Sequence, residues 1–302
     1  MQPSDKTLTS DLLHLTCKGL EAWIAPNIGG SLARFDANGQ PMMRPASGVK
    51  TDDPLEMACY PLLPFIGRIA FGHFRFEGRD ITLPAHPLTA PHALHGIGWQ
   101  RPWQIEERSA ASTRLCLRHR VDETTEWPWD FDAHEQFTLD EVALTVTLEV
   151  ENRAKTAMPS GLGLHPFFED RLNARLTGDL PYVWEASPDV LPTNRTEVTA
   201  VRNFRQGRRI APLTLDHCFS GGRSPLDIAW EDRPQGLRIH RGNANHTVIY
   251  TPQAHDFFCV EPVTHVPNAV NRPEAPEITG LKILTPGESM RLTCRFEVLS
   301  LK

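Results

Sequence analysis

The segment ALTVTLEVEN (143–152) alternates without a break: Leu144, Val146, Leu148 and Val150 fall on one side, Thr145, Thr147, Glu149 and Glu151 on the other. A repeat of two is that of an extended strand with one face in a core, because successive side chains point to opposite faces. The pattern returns in SMRLTCRFEV (289–298), where Met290, Leu292, Cys294, Phe296 and Val298 alternate with Arg291, Thr293, Arg295 and Glu297. No stretch of ten or more residues carries a clean helical repeat; DLLHLTCKGLEAW (11–23) comes nearest and is ambiguous. Turn signals at Asn38-Gly39 and Glu77-Gly78, and 26 prolines spread along the chain, punctuate the rest. The expectation is an all-β protein, a large β-sandwich of two sheets packed face to face. Strand patterns run to the last residues with no low-complexity linker and no clear repeat, so residues 1–302 are expected to form a single domain.

With 302 residues, 40% hydrophobic and 23% charged, the composition is that of an ordinary soluble globular protein with a sizeable core. The net charge of -6 is interspersed rather than gathered into basic runs, which argues against a nucleic-acid partner. MQPSDKTLTSDLLHL (1–15) lacks the apolar stretch of a signal peptide, and no segment approaches the length of a membrane span. A cytoplasmic location follows, with no membrane partner. The six cysteines lack CxxC spacing and several sit in strand patterns, so they read as small core residues.

Polar residues stand where this patterning does not want them. In SGLGLHPFF (160–168), alternation places His165 on the same face as Gly161 and Gly163, two residues without side chains. A lone histidine in a β protein is ordinarily a hydrogen-bonded core residue. Glycines inside a strand, however, suggest that something approaches closely, here a ligand beside the histidine. In DFFCVEPVTH (256–265), Glu261 shares a face with Phe257 and Cys259, where a carboxylate must be salt-bridged or functional. Both Glu261 and His165 precede proline, which holds them extended and fixes their direction.

Arg68 interrupts the apolar run YPLLPFIGRIAFG (60–72), and TAPHALHGIGWQRPW (89–103) carries His92, His95, Trp99 and Trp103. The His-x-x-His spacing invites a zinc reading, but Pro91, Gly96 and Gly98 argue for a loop and no third ligand follows; no metal is expected. In LTLDHCFSGG (213–222), Asp216 read by itself is a turn residue. Trp99 and Trp103 read first as core, with sugar stacking as the competing role.

These segments, in order, resemble the aldose 1-epimerase (galactose mutarotase-like) family. The resemblance runs through PNIGGSLARF, PFIGRIAFGHFRFEGRDITL, HALHGIGWQRPW, ENRAKTAMPSGLGLHPFF, CVEPVTHVPNA and the closing PGESMRLTCRFEV. It implies a supersandwich of β-sheets with a shallow sugar site and no cofactor. Glu261 corresponds to the family's general base, His165 to its general acid, and Arg68, His95 and Asp216 to its substrate-binding residues. Two positions depart from the family pattern. Gly67 precedes Arg68 where an asparagine is usual, and His92 replaces the asparagine three residues before His95.

The implied activity is interconversion of the α and β anomers of a free aldose, with a monosaccharide as partner and a monomeric or homodimeric protein. A glutamate near its reference pKa of about 4.3 and a histidine of about 6.5, held protonated by nearby carboxylates, suit that reaction. Alternatives are a hexose 6-phosphate mutarotase, with VRNFRQGRRI (201–210) supplying cations, and a carbohydrate-binding protein without turnover. A glycoside hydrolase or lyase would need a second catalytic carboxylate, for which Asp216 is the one obvious partner.

Overall fold

A computed structural model describes residues 12–46, 52–122 and 126–301; the N-terminal residues on which the signal-peptide reading rests lie mostly outside that set. Two antiparallel sheets dominate. The first has eleven strands among the described residues. Its order runs Leu13–Cys17, Leu20–Ala25, Ser31–Ala37, Cys59–Leu62, Gly163–Glu169, Phe257–Val263, His246–Tyr250, Asp216–Ser220, Tyr182–Ala186 and Pro192–Glu197, with Gln40–Pro41 beside the third. The second, of nine strands, is centred on Ala143–Asn152 and Ser289–Ser300. These are the two segments with the clearest alternation, and they pair with each other, Val146 opposite Cys294.

The ambiguous segment at 11–23 is a hairpin. Leu13–Cys17 pairs with Leu20–Ala25 around Lys18 and Gly19, both in the left-handed region at φ 41 and 86. Leu13, Leu15, Leu20, Ala22 and Ile24 enter the core, a spacing of two that the intervening turn disguises. Glu77 and Gly78, at φ 46 and 78, close the hairpin between His73–Phe76 and Arg79–Thr82, the left-handed pair that a two-residue turn requires. The only described α-helix is the four-residue Pro276–Thr279, and no described helix is long and apolar enough to cross a membrane.

The main core lies between the sheets and takes Leu164, Phe168, Phe258, Val260, Ile249 and Phe219 from the first together with Val146, Leu148, Leu292 and Phe296 from the second. Each fully buried side chain of this size contributes about 1.5–3 kcal/mol relative to exposure. Because alternate residues of the first sheet are committed to that core, the intervening ones point to the opposite face. There Tyr60, Phe167, Cys259 and Val263 join Leu62, Ile66 and Trp99 in a smaller cluster under the loops. That outer face carries the polar residues. The described cysteines are free thiols, five of them buried and Cys17 half-buried.

Candidate active site

The centre of the first sheet forms the floor of a cleft of about 440 Å³. Consecutive strands each send a residue into it: Tyr60, His165, Glu261, Tyr250, Asp216 and Trp184. His165 and Glu261 are brought together by register. The pairs Gly163↔Val263 and Phe167↔Cys259 bracket them, so they stand opposite one another on adjacent strands. Pro166 and Pro262 have no N–H to donate, which leaves the ladder between these strands open at this point. His165 Nε2 lies 3.4 Å from Glu261 Oε1, and both side chains are nearly inaccessible. Nearly a hundred positions apart in sequence, they lie side by side on the floor rather than facing each other across the cleft.

The glycines beside His165 serve packing and not a ligand. A Cβ at Gly161 would lie 1.8 Å from Cδ2 of His265, and one at Gly163 would meet Val263, Ile66 and Leu62. The clearing that the sequence suggests is therefore filled by the protein itself. The open side of His165 is defined instead by rings. Tyr60 and Phe167 each stack with it at 4.6 Å between centroids, and His95 approaches edge-on at 5.4 Å.

His95 arrives from a loop. It has φ 59 and precedes Gly96 at φ 71, where a Cβ would lie 2.1 Å from the Leu63 carbonyl oxygen; only glycine allows this close turn. The Gly67 N–H donates to His95 Nδ1 at 3.1 Å, and the His95 N–H donates to the Gly67 carbonyl at 2.9 Å. With Nδ1 accepting, a neutral His95 carries its proton on Nε2. Burial, and then the charges of His165 and Arg68, hold the ring well below the usual histidine range, so it is a fixed neutral donor. By contrast, Nδ1 of His165 has no hydrogen-bond partner outside its own residue, and nothing locks its tautomer.

Arg68 and Asp216 occupy the next part of the wall. Arg68 Nη2 is 3.7 Å from Asp216 Oδ2, and its Nη1 is 3.5 Å from the carbonyl of Val190, a β-branched residue held at φ 58 in the hairpin turn above. Burial raises the Asp216 carboxyl and Arg68 opposes that shift. Asp216 begins a strand instead of a turn.

The protonation state differs from the sequence expectation. Burial pushes His165 down to about 3, and nearby Arg44 pushes in the same direction. Burial also drives Glu261 well above the carboxylate range, aided by Asp216 and opposed by Arg68. The pair is thus drawn toward carboxylic acid and neutral imidazole rather than carboxylate and imidazolium. The two forms hold the same single shared proton. They differ only in which side of the 3.4 Å gap it occupies.

His92, Trp99, Trp103 and the arginines of 201–210 fall outside the cleft wall. His92 is buried, and its Nδ1 accepts the Phe71 N–H at 3.0 Å, holding a residue at φ 54. Trp99 and Trp103 are buried and donate to the carbonyls of Gly96 and Gly98; Trp184 reaches the cleft instead. At Gly67, φ is 63 and a Cβ would lie 2.6 Å from Pro267 Cβ, which disfavours the usual asparagine here. The arginines of 201–210 are engaged by protein: Arg202 with Glu185, Arg205 with Asp179, Arg209 with Glu231, and Arg208 with backbone carbonyls. Sequence reading missed Arg44, Tyr60 and Phe167 in the wall, while Phe257 lies on the face it had given to Glu261. Tyr60 and Phe167 were legible from alternation, Arg44 from nothing local.

The aldose 1-epimerase family profile matches residues 11–297. The uncharacterised protein YphB of Escherichia coli K12 is 29% identical over 274 residues, covering 86% of this chain and 90% of that one. A candidate aldose 1-epimerase from Escherichia coli K12 superposes with a TM-score of 0.87 at 26% identity, covering 96% and 99% of the two chains. A galactose mutarotase-like protein from Clostridium acetobutylicum superposes with a TM-score of 0.89 at 19% identity, over 96% and 95%. With a cleft in the middle of one broad sheet and a family match over nearly its whole length, the chain belongs to the aldose 1-epimerase family.

Proposed function

We propose that this protein is a mutarotase that interconverts the anomers of a free aldose, with Glu261 and His165 exchanging one proton each with the sugar. The observation that carries the reading is the 3.4 Å contact between a buried carboxyl and a buried imidazole on the floor of a sugar-sized cleft. The shared proton first moves from Glu261 to His165 across their 3.4 Å gap; Glu261 then takes the proton from O1 while His165 gives one to the ring oxygen, the C1–O5 bond breaks and C1=O1 forms. Rotation about C1–C2 presents the other carbonyl face. Closure then returns O5's proton to His165 and O1's proton from Glu261.

While the ring is open, Glu261 is a neutral acid and His165 a neutral base. Burial favours this form of the pair, which is also the form it holds before the sugar binds. His95 Nε2–H and Arg68 polarise the oxygens that gain charge, and Asp216 accepts from ring hydroxyls. Each positioned proton transfer is worth about 100- to 10,000-fold.

The test is anomer exchange, followed by NMR on freshly dissolved pure anomers of galactose, glucose, fucose and arabinose. Equilibration faster than buffer for at least one sugar, lost in Glu261→Gln, is the expected result. Saturable sugar binding with no accelerated exchange would instead make the chain a binding protein.

A further inference from the structure

Two arginines line the cleft, and they differ in what they face. Arg68 faces the carboxylate of Asp216. Arg44 forms no ion pair with any described carboxylate, and the acidic groups that act on it, Glu56 and Glu169, do so only at longer range. Its backbone N–H donates to the Phe167 carbonyl, and its Nη2 donates to the carbonyls of Leu55 and Met57. Its guanidinium carbon lies 4.0 Å from the centre of the Phe167 ring and 4.9 Å from that of Phe257. Nε and Nη1 have no protein acceptor among the described residues. A half-buried cation with two donors unpartnered among the described residues, steadied by two carbonyls and two rings, is arranged to meet an anion from the cleft.

Its position fixes which part of a sugar it meets. Arg44 acts on His165, whereas Arg68 and Asp216 act on Glu261. The Phe167 ring that carries Arg44 is itself 4.6 Å from the His165 ring. With O1 at Glu261 and the ring oxygen at His165, the pyranose places C2 toward Asp216 and Arg68. In that pose C5 and its exocyclic C6 would extend past His165 along Phe167, the ring that carries Arg44.

We propose that Arg44 reads the C6 substituent and selects an aldose bearing an anionic group there, a phosphate or a carboxylate. This rests on the mutarotase reading of the site. It also moves phosphate recognition from the 201–210 arginines, which protein groups occupy and which do not line the cleft, to an arginine in its wall.

The experiment compares glucose, glucose 6-phosphate and glucuronate as substrates by NMR exchange, and as ligands by calorimetry, in wild type, Arg44→Gln and Arg44→Lys. Wild type is expected to favour one of the 6-anionic sugars over glucose by at least about tenfold in kcat/KM. Arg44→Gln should cut that preference by roughly 10- to 100-fold, with Arg44→Lys retaining most of it. The better of the two anions separates phosphate from carboxylate as the group read. Wild type that handles glucose as well as both anions, or an unchanged preference in Arg44→Gln, overturns the assignment. If no sugar exchanges but calorimetry shows 6-anionic binding that depends on Arg44, the catalytic reading fails and Arg44's role stands. Loss of binding to all sugars equally in both variants counts against it.

Discussion

At the residue scale, the distinctive feature is a proton shared in a dry place. A glutamate on an apolar strand face is costly as an anion unless paired, and its partner here is an imidazole that is also buried. Replacing the carboxyl by an amide keeps shape and neutrality. Glu261→Gln is therefore expected to lower anomer exchange about 100- to 10,000-fold without lowering the melting temperature. His165→Asn should lose a similar factor, and the double variant little more, because in the proposed mechanism the two act as one relay. The pH profile follows from the shifts. The pair is competent while it holds one proton, and it gains a second only as pH falls toward about 3, the His165 value. It loses the shared proton above the ordinary carboxylate range, because Glu261 is raised. kcat/KM should therefore show no acid limb until the pH nears about 3. An acid limb centred near 6.5 would show that substrate-free His165 titrates as a solvated histidine.

At the element scale, adjacent strands place the pair and loops complete the site. Strand register puts His165 opposite Glu261, the two X-Pro steps hold both residues extended, and the left-handed His95-Gly96 turn aims the third group. The support beneath is tight. Gly161 donates its N–H to the Pro64 carbonyl at 2.7 Å, while His265 accepts the Ile66 N–H at 3.3 Å, so the chain that leads to Arg68 leans on both. Gly161→Ala drives a methyl into His265 and is expected to cost about 1–3 kcal/mol in urea unfolding. Wild-type stability in that variant would mean that His265 moves freely and the loop is not braced there.

At the scale of the whole molecule, one buried acid lies in the core away from the cleft. Glu135 projects between the sheets, its Oε2 has no hydrogen-bond partner, and burial alone raises it well above the ordinary value of 4.5. The folded protein therefore retains a proton that the unfolded chain releases. Below about pH 4.5 both states hold it and stability is independent of this group. As pH rises past that point the unfolded state is favoured, and the loss continues until the folded-state value is passed. Relative to wild type, Glu135→Gln should gain stability as the pH is raised above about 5, until the folded-state value is passed, in melting curves at matched ionic strength. A difference that stays constant across that range would mean Glu135 is not held protonated.

The alternating segments 143–152 and 289–298, and the faces of Phe257–Val263, were legible in sequence, because a strand's side-chain repeat is local and one buried face enforces it. The polar positions on apolar faces, Glu261 and His165, were legible for the same reason. The Leu13–Ala25 hairpin was obscured because its turn falls inside the apolar pattern. The purpose of Gly161 and Gly163 was misread because what fills their space, His265 and Val263, comes from a distant strand and the loop beyond it. Only the tertiary structure decided that His165 and Glu261 meet at 3.4 Å in a buried place, and that Arg44 stands beside them without an ion pair to any described carboxylate. Desolvation and charge pairing depend on everything within several ångströms, and residues that distant in sequence become neighbours only when the sheets close.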